Sequence, residues 1–101
     1  MDKKVVWTEQ SFKDIDAICE YISKDSKFYA YAFADSLFEA GESLKTFSNR
    51  GRIVPELMKE NIREIFINEY RMIYNIFDDI VEVLTIIHGR RNAKRILKKI
   101  K

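Results

Sequence analysis

An α+β domain is what this sequence predicts: a short strand, two helices folded as a hairpin, three antiparallel strands and a basic helical tail. Apolar residues recur at helical spacing between residues 9 and 47, then alternate with polar ones between 62 and 88. Two polar pairs, Asn68-Glu69 and Asp78-Asp79, cut the alternating region into three strands joined by tight turns. Helices first and strands afterwards place the helices on one face of a mostly antiparallel sheet.

Each element has a local reason. Residues 3–7 (Lys-Lys-Val-Val-Trp) form a short strand. Thr8 then caps a helix, with Glu9 favourable in its first turn. Phe12, Ile15, Ile18, Cys19 and Ile22 make one apolar stripe. Lys24–Lys27 breaks the helix, and a second, longer one carries Ala30, Phe33, Ala34, Leu37, Phe38, Gly41 and Leu44 on one face. Gly41 costs about 1 kcal/mol against Ala inside a helix, which argues for close helix packing there. So short a break makes the two helices an antiparallel hairpin. Ser48–Arg52 ends the helical part, and 53–61 is a loop holding the only proline, Pro55. The strands fall at 62–67, 70–77 and 80–88, and 92–101 is a short basic helix with Ala93, Ile96, Leu97 and Ile100 as its apolar residues. The 101 residues make a single domain with no repeat or linker.

Composition excludes several classes. No apolar run has the length of a membrane span, and the opening residues lack the apolar stretch of a signal peptide. A single cysteine, Cys19, makes no intrachain disulfide and reads as an inert core residue, so a cytoplasmic setting is expected. One His and one Cys far apart make no metal site, and no glycine-rich phosphate loop exists, so no cofactor is expected.

Charge is strongly polarised. Residues 1–82 hold 11 basic and 16 acidic residues, whereas residues 83–101 hold seven Lys or Arg, the only His, and no acid. This end, beginning at His88-Gly89-Arg90-Arg91, suits an anionic partner. With two-residue turns, Phe77 pairs with Ile80 and Ile67 with Tyr70, so Arg71 lies opposite Phe66 and Ile86. One face then carries Ile65, Ile67, Tyr70, Met72, Tyr74, Ile76, Val81, Val83 and Ile87 and is the candidate core. The other gathers Glu64, Arg71 and His88 near one end, beside Phe66, Ile73, Leu84 and Ile86. Arg71 and Glu64 equally fit an ordinary cross-strand ion pair.

Three stretches give the chain a family likeness: Gly51-Arg52-Ile53-Val54-Pro55-Glu56-Leu57, Tyr70-Arg71-Met72-Ile73-Tyr74, and Val83 through Arg91 ending in His-Gly-Arg-Arg. In this order, after two amphipathic helices, they resemble the RelE/ParE toxins of type II toxin–antitoxin systems, the plasmid-stabilisation type. The resemblance implies growth arrest by the free toxin and a hetero-oligomer with a cognate antitoxin that neutralises it. It leaves two targets. RelE-like members cleave mRNA in the ribosome; ParE-like members act on DNA gyrase and are not known to do chemistry themselves.

For a nuclease, the resemblance makes Arg71 the cation that stabilises the phosphorane, His88 the acid or base, and Glu56 a loop base, with Arg63 and Arg90 on flanking phosphates. Against it, no Tyr follows Tyr74, where RelE-like members use a C-terminal tyrosine. Arg63-Glu64-Ile65 also stands where that branch has a lysine pair, and Glu64 repels phosphate. His-Gly-Arg-Arg and the long hairpin look more ParE-like. The reading favoured is therefore a ParE-like toxin, with Arg63, Arg71, His88, Arg90 and Arg91 as its target- or antitoxin-binding residues. A non-toxic nucleic-acid-binding module using Arg91, Lys94, Arg95, Lys98, Lys99 and Lys101 is a third alternative.

Overall fold

The computed structural model describes residues 2–100, with side chains through Lys98. The elements are β1 (Lys4–Trp7), α1 (Glu9–Ser23), α2 (Lys27–Ser43), β2 (Arg52–Ile53), β3 (Ile62–Ile67), β4 (Tyr70–Ile76), β5 (Ile80–His88) and α3 (Ala93–Ile100). The strands form one sheet ordered β1-β5-β4-β3-β2. β1 runs parallel to β5, and every other neighbouring pair is antiparallel. The α+β architecture expected from the sequence is the one observed, with β2 as an addition. Residues 52–53 lie in the stretch between helix and sheet and are too short to show alternation; they become a strand because they pair with Arg63 and Glu64.

The helix ends follow capping chemistry. Thr8 is extended, and its hydroxyl accepts the Ser11 N–H at 3.0 Å. Ser26 caps α2 in the same way through the Tyr29 N–H. α2 stops at Ser43 rather than near residue 47. Its end tightens as Leu44 N–H bonds to Gly41 O and Lys45 N–H to Glu42 O, and the chain turns away from the helical path. Close packing does occur at Gly41, but against β1 instead of α1: a Cβ there would meet two ring atoms of Trp7 at 2.3 and 2.5 Å.

The sheet register departs from the expected one at a single place. β3 pairs with β4 as the turn at Asn68-Glu69 dictates, with Phe66 opposite Arg71; Asn68 takes the left-handed conformation, φ 54°. β4 and β5 also begin in the expected register, Ile76 with Val81 and Tyr74 with Val83, and then slip, so that Ile73 faces Thr85. Leu84 is the extra residue of a β-bulge. Every residue of β5 beyond it is re-aimed. Ile86 joins the helix-side core, Ile87 the opposite one, and Arg71 faces Ile87 rather than Ile86. His88 pairs with Tyr70, so its expected grouping with Arg71 on one face does not hold.

The bulge lies where β1 ends. Beyond Trp7, β5 has no neighbouring strand on that side, and side chains of α1 and its cap take over. The Asp14 carboxylate accepts the Ile86 N–H at 3.0 Å and the Thr85 hydroxyl. The Thr8 hydroxyl lies 2.8 and 2.9 Å from the carbonyls of Val83 and Leu84. These bonds satisfy the carbonyls of Val83 and Leu84 and the N–H of Ile86 at this edge of the strand.

Two apolar clusters result. On the helix side Ile15, Phe33, Leu37 and Leu44 pack on Ile65, Met72, Tyr74, Val81, Val83 and Ile86. On the far side Val54, Ile62, Ile73, Leu84 and Ile87 are roofed by Ala93 and Leu97 of α3. The mixed face of the sequence reading is thus a second core, closed by the loop at 54–61 and by α3. Lys99, Ile100 and Lys101, counted in the basic tail, lie outside the described side chains.

Candidate functional site

The far side of the sheet holds a buried cluster of charges centred on Arg71. β4 places this residue mid-sheet, with only 3% of its side chain exposed. One terminal nitrogen, Nη1, donates to Glu56 Oε1 at 3.0 Å and to Glu64 Oε1 at 2.9 Å. The other, Nη2, donates to Glu56 Oε2 and to the Arg91 carbonyl, each at 2.6 Å. Glu64 is wholly buried, and its second oxygen accepts from Arg52 Nε at 2.6 Å. Arg52 is half exposed and lies over the Phe66 ring, 5.2 Å from its centroid. Arg71 Nε is buried without a partner.

Glu56 reaches this cluster from the loop that carries Pro55. Its Oε2 also accepts the backbone N–H of Ala93 at 3.0 Å, the first residue of α3. Hydrogen bonding to Arg71 and, less strongly, to the Ala93 N–H outweighs burial and lowers the Glu56 pKa to about 2. Reciprocally, the bond to Glu56 and the Glu64 charge overcome burial and raise the Arg71 pKa further. The arrangement is a clasp: one guanidinium ties the loop, β3, β4 and the start of α3 together. The ion pair between Arg71 and Glu64 that the sequence allowed is present and buried, and Glu56 extends it.

The other site residues are dispersed. His88 lies toward the helix side, half-buried, with its ring centroid 5.7 Å from that of Tyr70. Its Nδ1 accepts the Arg90 N–H at 3.2 Å, and its Nε2 lies 3.4 Å from a Glu69 carboxylate oxygen. Arg63 braces the loop by donating to the carbonyls of Glu60 and Gly51. Arg90 and Arg91 are exposed, and neither side chain has a carboxylate partner among the described residues. Arg71 and Glu56 therefore meet, whereas His88, Arg63 and Arg90 do not join them.

One feature escaped the sequence reading. Between the loop at 54–61 and α3 lies a cleft of about 330 Å³, with Leu57, Ile62 and Leu97 among its walls and Lys59, Lys94 and Lys98 at its rim. The spacing of Lys94 and Lys98 puts both on one side of α3, a signal the sequence does contain. Nothing in the sequence ties Lys59 to them. Among the described residues, no group of His, Cys, Asp or Glu is placed to hold a metal ion. No helix there is long and apolar enough to cross a membrane.

Residues 5–100 match the family model of the ParE toxin of the type II toxin–antitoxin system, parDE. The chain belongs to that family. Toxin RelE2 of Caulobacter vibrioides is 31% identical over 88 residues, which span 87% of this chain and 97% of that protein. Among solved structures, the chromosomal ParDE TA system from P. aeruginosa superposes with a TM-score of 0.70 at 18% identity, over 85% of this toxin and 95% of that chain. The toxin–antitoxin complex RelBE2 from Mycobacterium tuberculosis follows with a TM-score of 0.64 at 17% identity, over 87% and 99%. These two likenesses show the fold. The family is the one suggested by the stretches ending in Tyr74 and Arg91.

Proposed function

We propose that this toxin arrests growth as a ParE-like inhibitor of DNA gyrase, and that a cognate antitoxin holds it inactive in a cytoplasmic hetero-oligomer. One observation carries the choice of mechanism: the residues a nuclease would need are separated or already engaged. Cleavage beside a 2′-hydroxyl requires a base, a cation and an acid that converge on one phosphate. Arg71 is buried and bonded to two carboxylates and a carbonyl. Glu56, with a pKa of about 2, is a weak base and is bound to Arg71. His88 lies toward the opposite face of the sheet. The missing tyrosine after Tyr74 supports the same conclusion.

The antitoxin is proposed from the relatives, since the ParDE and RelBE2 structures are toxin–antitoxin systems. Ribosome-dependent mRNA cleavage is the second reading, kept because one relative is named Toxin RelE2. A separate nucleic-acid-binding role for the tail is less well supported, because Leu97 of α3 is buried on the domain.

The experiment pairs two assays on the purified toxin. Gyrase supercoiling is expected to be inhibited and gyrase-cleaved DNA to accumulate, while mRNA on translating ribosomes stays intact. Ribosome-dependent breaks without any effect on gyrase would sink the gyrase reading. Harmless expression of soluble toxin would sink the growth-arrest reading as well.

A further inference from the structure

We infer that the cleft between the loop at 54–61 and α3 is a docking site for an acidic segment of the antitoxin that carries an aliphatic anchor residue. The inference rests on the proposed antitoxin partnership and adds the place and chemistry of one contact. Leu57, Ile62 and Leu97 give the cleft apolar walls, and its volume of about 330 Å³ admits one or two aliphatic side chains. Lys59, Lys94 and Lys98 stand on the rim, all exposed. None of these three ammonium groups has a carboxylate partner among the described residues.

The one acid lining the cleft, Glu56, does not neutralise them. Both of its oxygens are taken by Arg71, and Oε2 also by the Ala93 N–H. The clasp therefore does two things at once. It fixes the two walls of the cleft relative to each other, and it consumes the carboxylate that would otherwise offset the lysines. What is left is an apolar slot with a net positive rim, complementary to a peptide that presents an aliphatic residue between carboxylates.

A nucleic acid fits less well. No aromatic side chain lines the cleft to stack a base, and its walls offer aliphatic carbon where a base edge needs hydrogen-bonding groups.

The test uses the full toxin and the protein encoded by the adjacent reading frame, with affinity measured by titration calorimetry at two salt concentrations. The variants are Lys59→Glu/Lys94→Glu/Lys98→Glu, and separately Leu57→Gln, each checked for an unchanged melting temperature. The charge-reversed variant is expected to bind at least about tenfold more weakly, with a flatter salt dependence than wild type. Leu57→Gln is expected to bind more weakly with the salt dependence retained. If wild-type toxin does not bind the neighbouring protein, the antitoxin reading fails. If wild type binds and both folded variants bind equally well, the docking site is wrong. Loss of duplex-DNA binding by the charge-reversed variant, with antitoxin affinity intact, would overturn the peptide assignment in favour of nucleic acid.

Discussion

Replacing Arg71 with Met tests whether this residue is architecture or chemistry. The substitution keeps the unbranched stem as far as the position of Nε and removes the guanidinium with its four hydrogen bonds, two to Glu56, one to Glu64 and one to the Arg91 carbonyl. Glu64 is then a wholly buried carboxylate with only Arg52 beside it. Glu56, one quarter exposed, loses its main partner while still bound to Ala93 N–H. Breaking a buried pair by removing one member costs about 3–5 kcal/mol, because the remaining charge is left without compensation. That is a large share of the roughly 5–15 kcal/mol that holds a domain of this size together. Thermal melts followed by circular dichroism should show Tm falling by more than about 10 °C. The triple variant Arg71→Met/Glu56→Leu/Glu64→Leu should recover much of the loss, since it leaves neither carboxylate behind. If Arg71→Met instead melts within about 2 °C of wild type and abolishes toxicity, the clasp is not structural and the argument against a catalytic Arg71 collapses.

Two further outcomes follow from the same geometry. The folded-state pKa of Glu56 lies below its ordinary 4.5, at about 2, so its contribution to stability is complete above 4.5 and is lost as pH falls toward 2. Urea midpoints taken across that interval should fall with pH in wild type and less steeply in Glu56→Gln; identical slopes would show that Glu56 is not linked to folding. Gly41→Ala should destabilise the toxin by about 1–3 kcal/mol despite a gain of roughly 1 kcal/mol in helix propensity, because the new methyl overlaps the Trp7 ring. A higher urea midpoint in this variant would mean that Trp7 moves aside freely.

Periodicity and turn chemistry were enough to read the order of every element except the two-residue β2. The strand limits at Ile62, Ile67 and His88, the cap at Thr8 and the turn at Asn68 are all set by neighbours a few residues away. The family likeness was legible for a similar reason, because its motifs are short and contiguous. By itself, then, the sequence determined the fold class, the two-helix hairpin, the meander and the polarised charge. The tertiary structure alone decided which charges remain available. Just past the bulge at Leu84, α1 covers the edge of β5 through Asp14, and local alternation carries no trace of that long-range contact. The bulge moved His88 away from Arg71. The clasp likewise joins Glu56, Glu64, Arg71 and Ala93 across three elements and a loop. Burial turned the most suggestive arginine in the chain into a bracket, because a buried guanidinium is stable only when carboxylates and carbonyls surround it. The exposed lysines around Leu57 and Leu97, unremarkable in sequence, became the open positive surface.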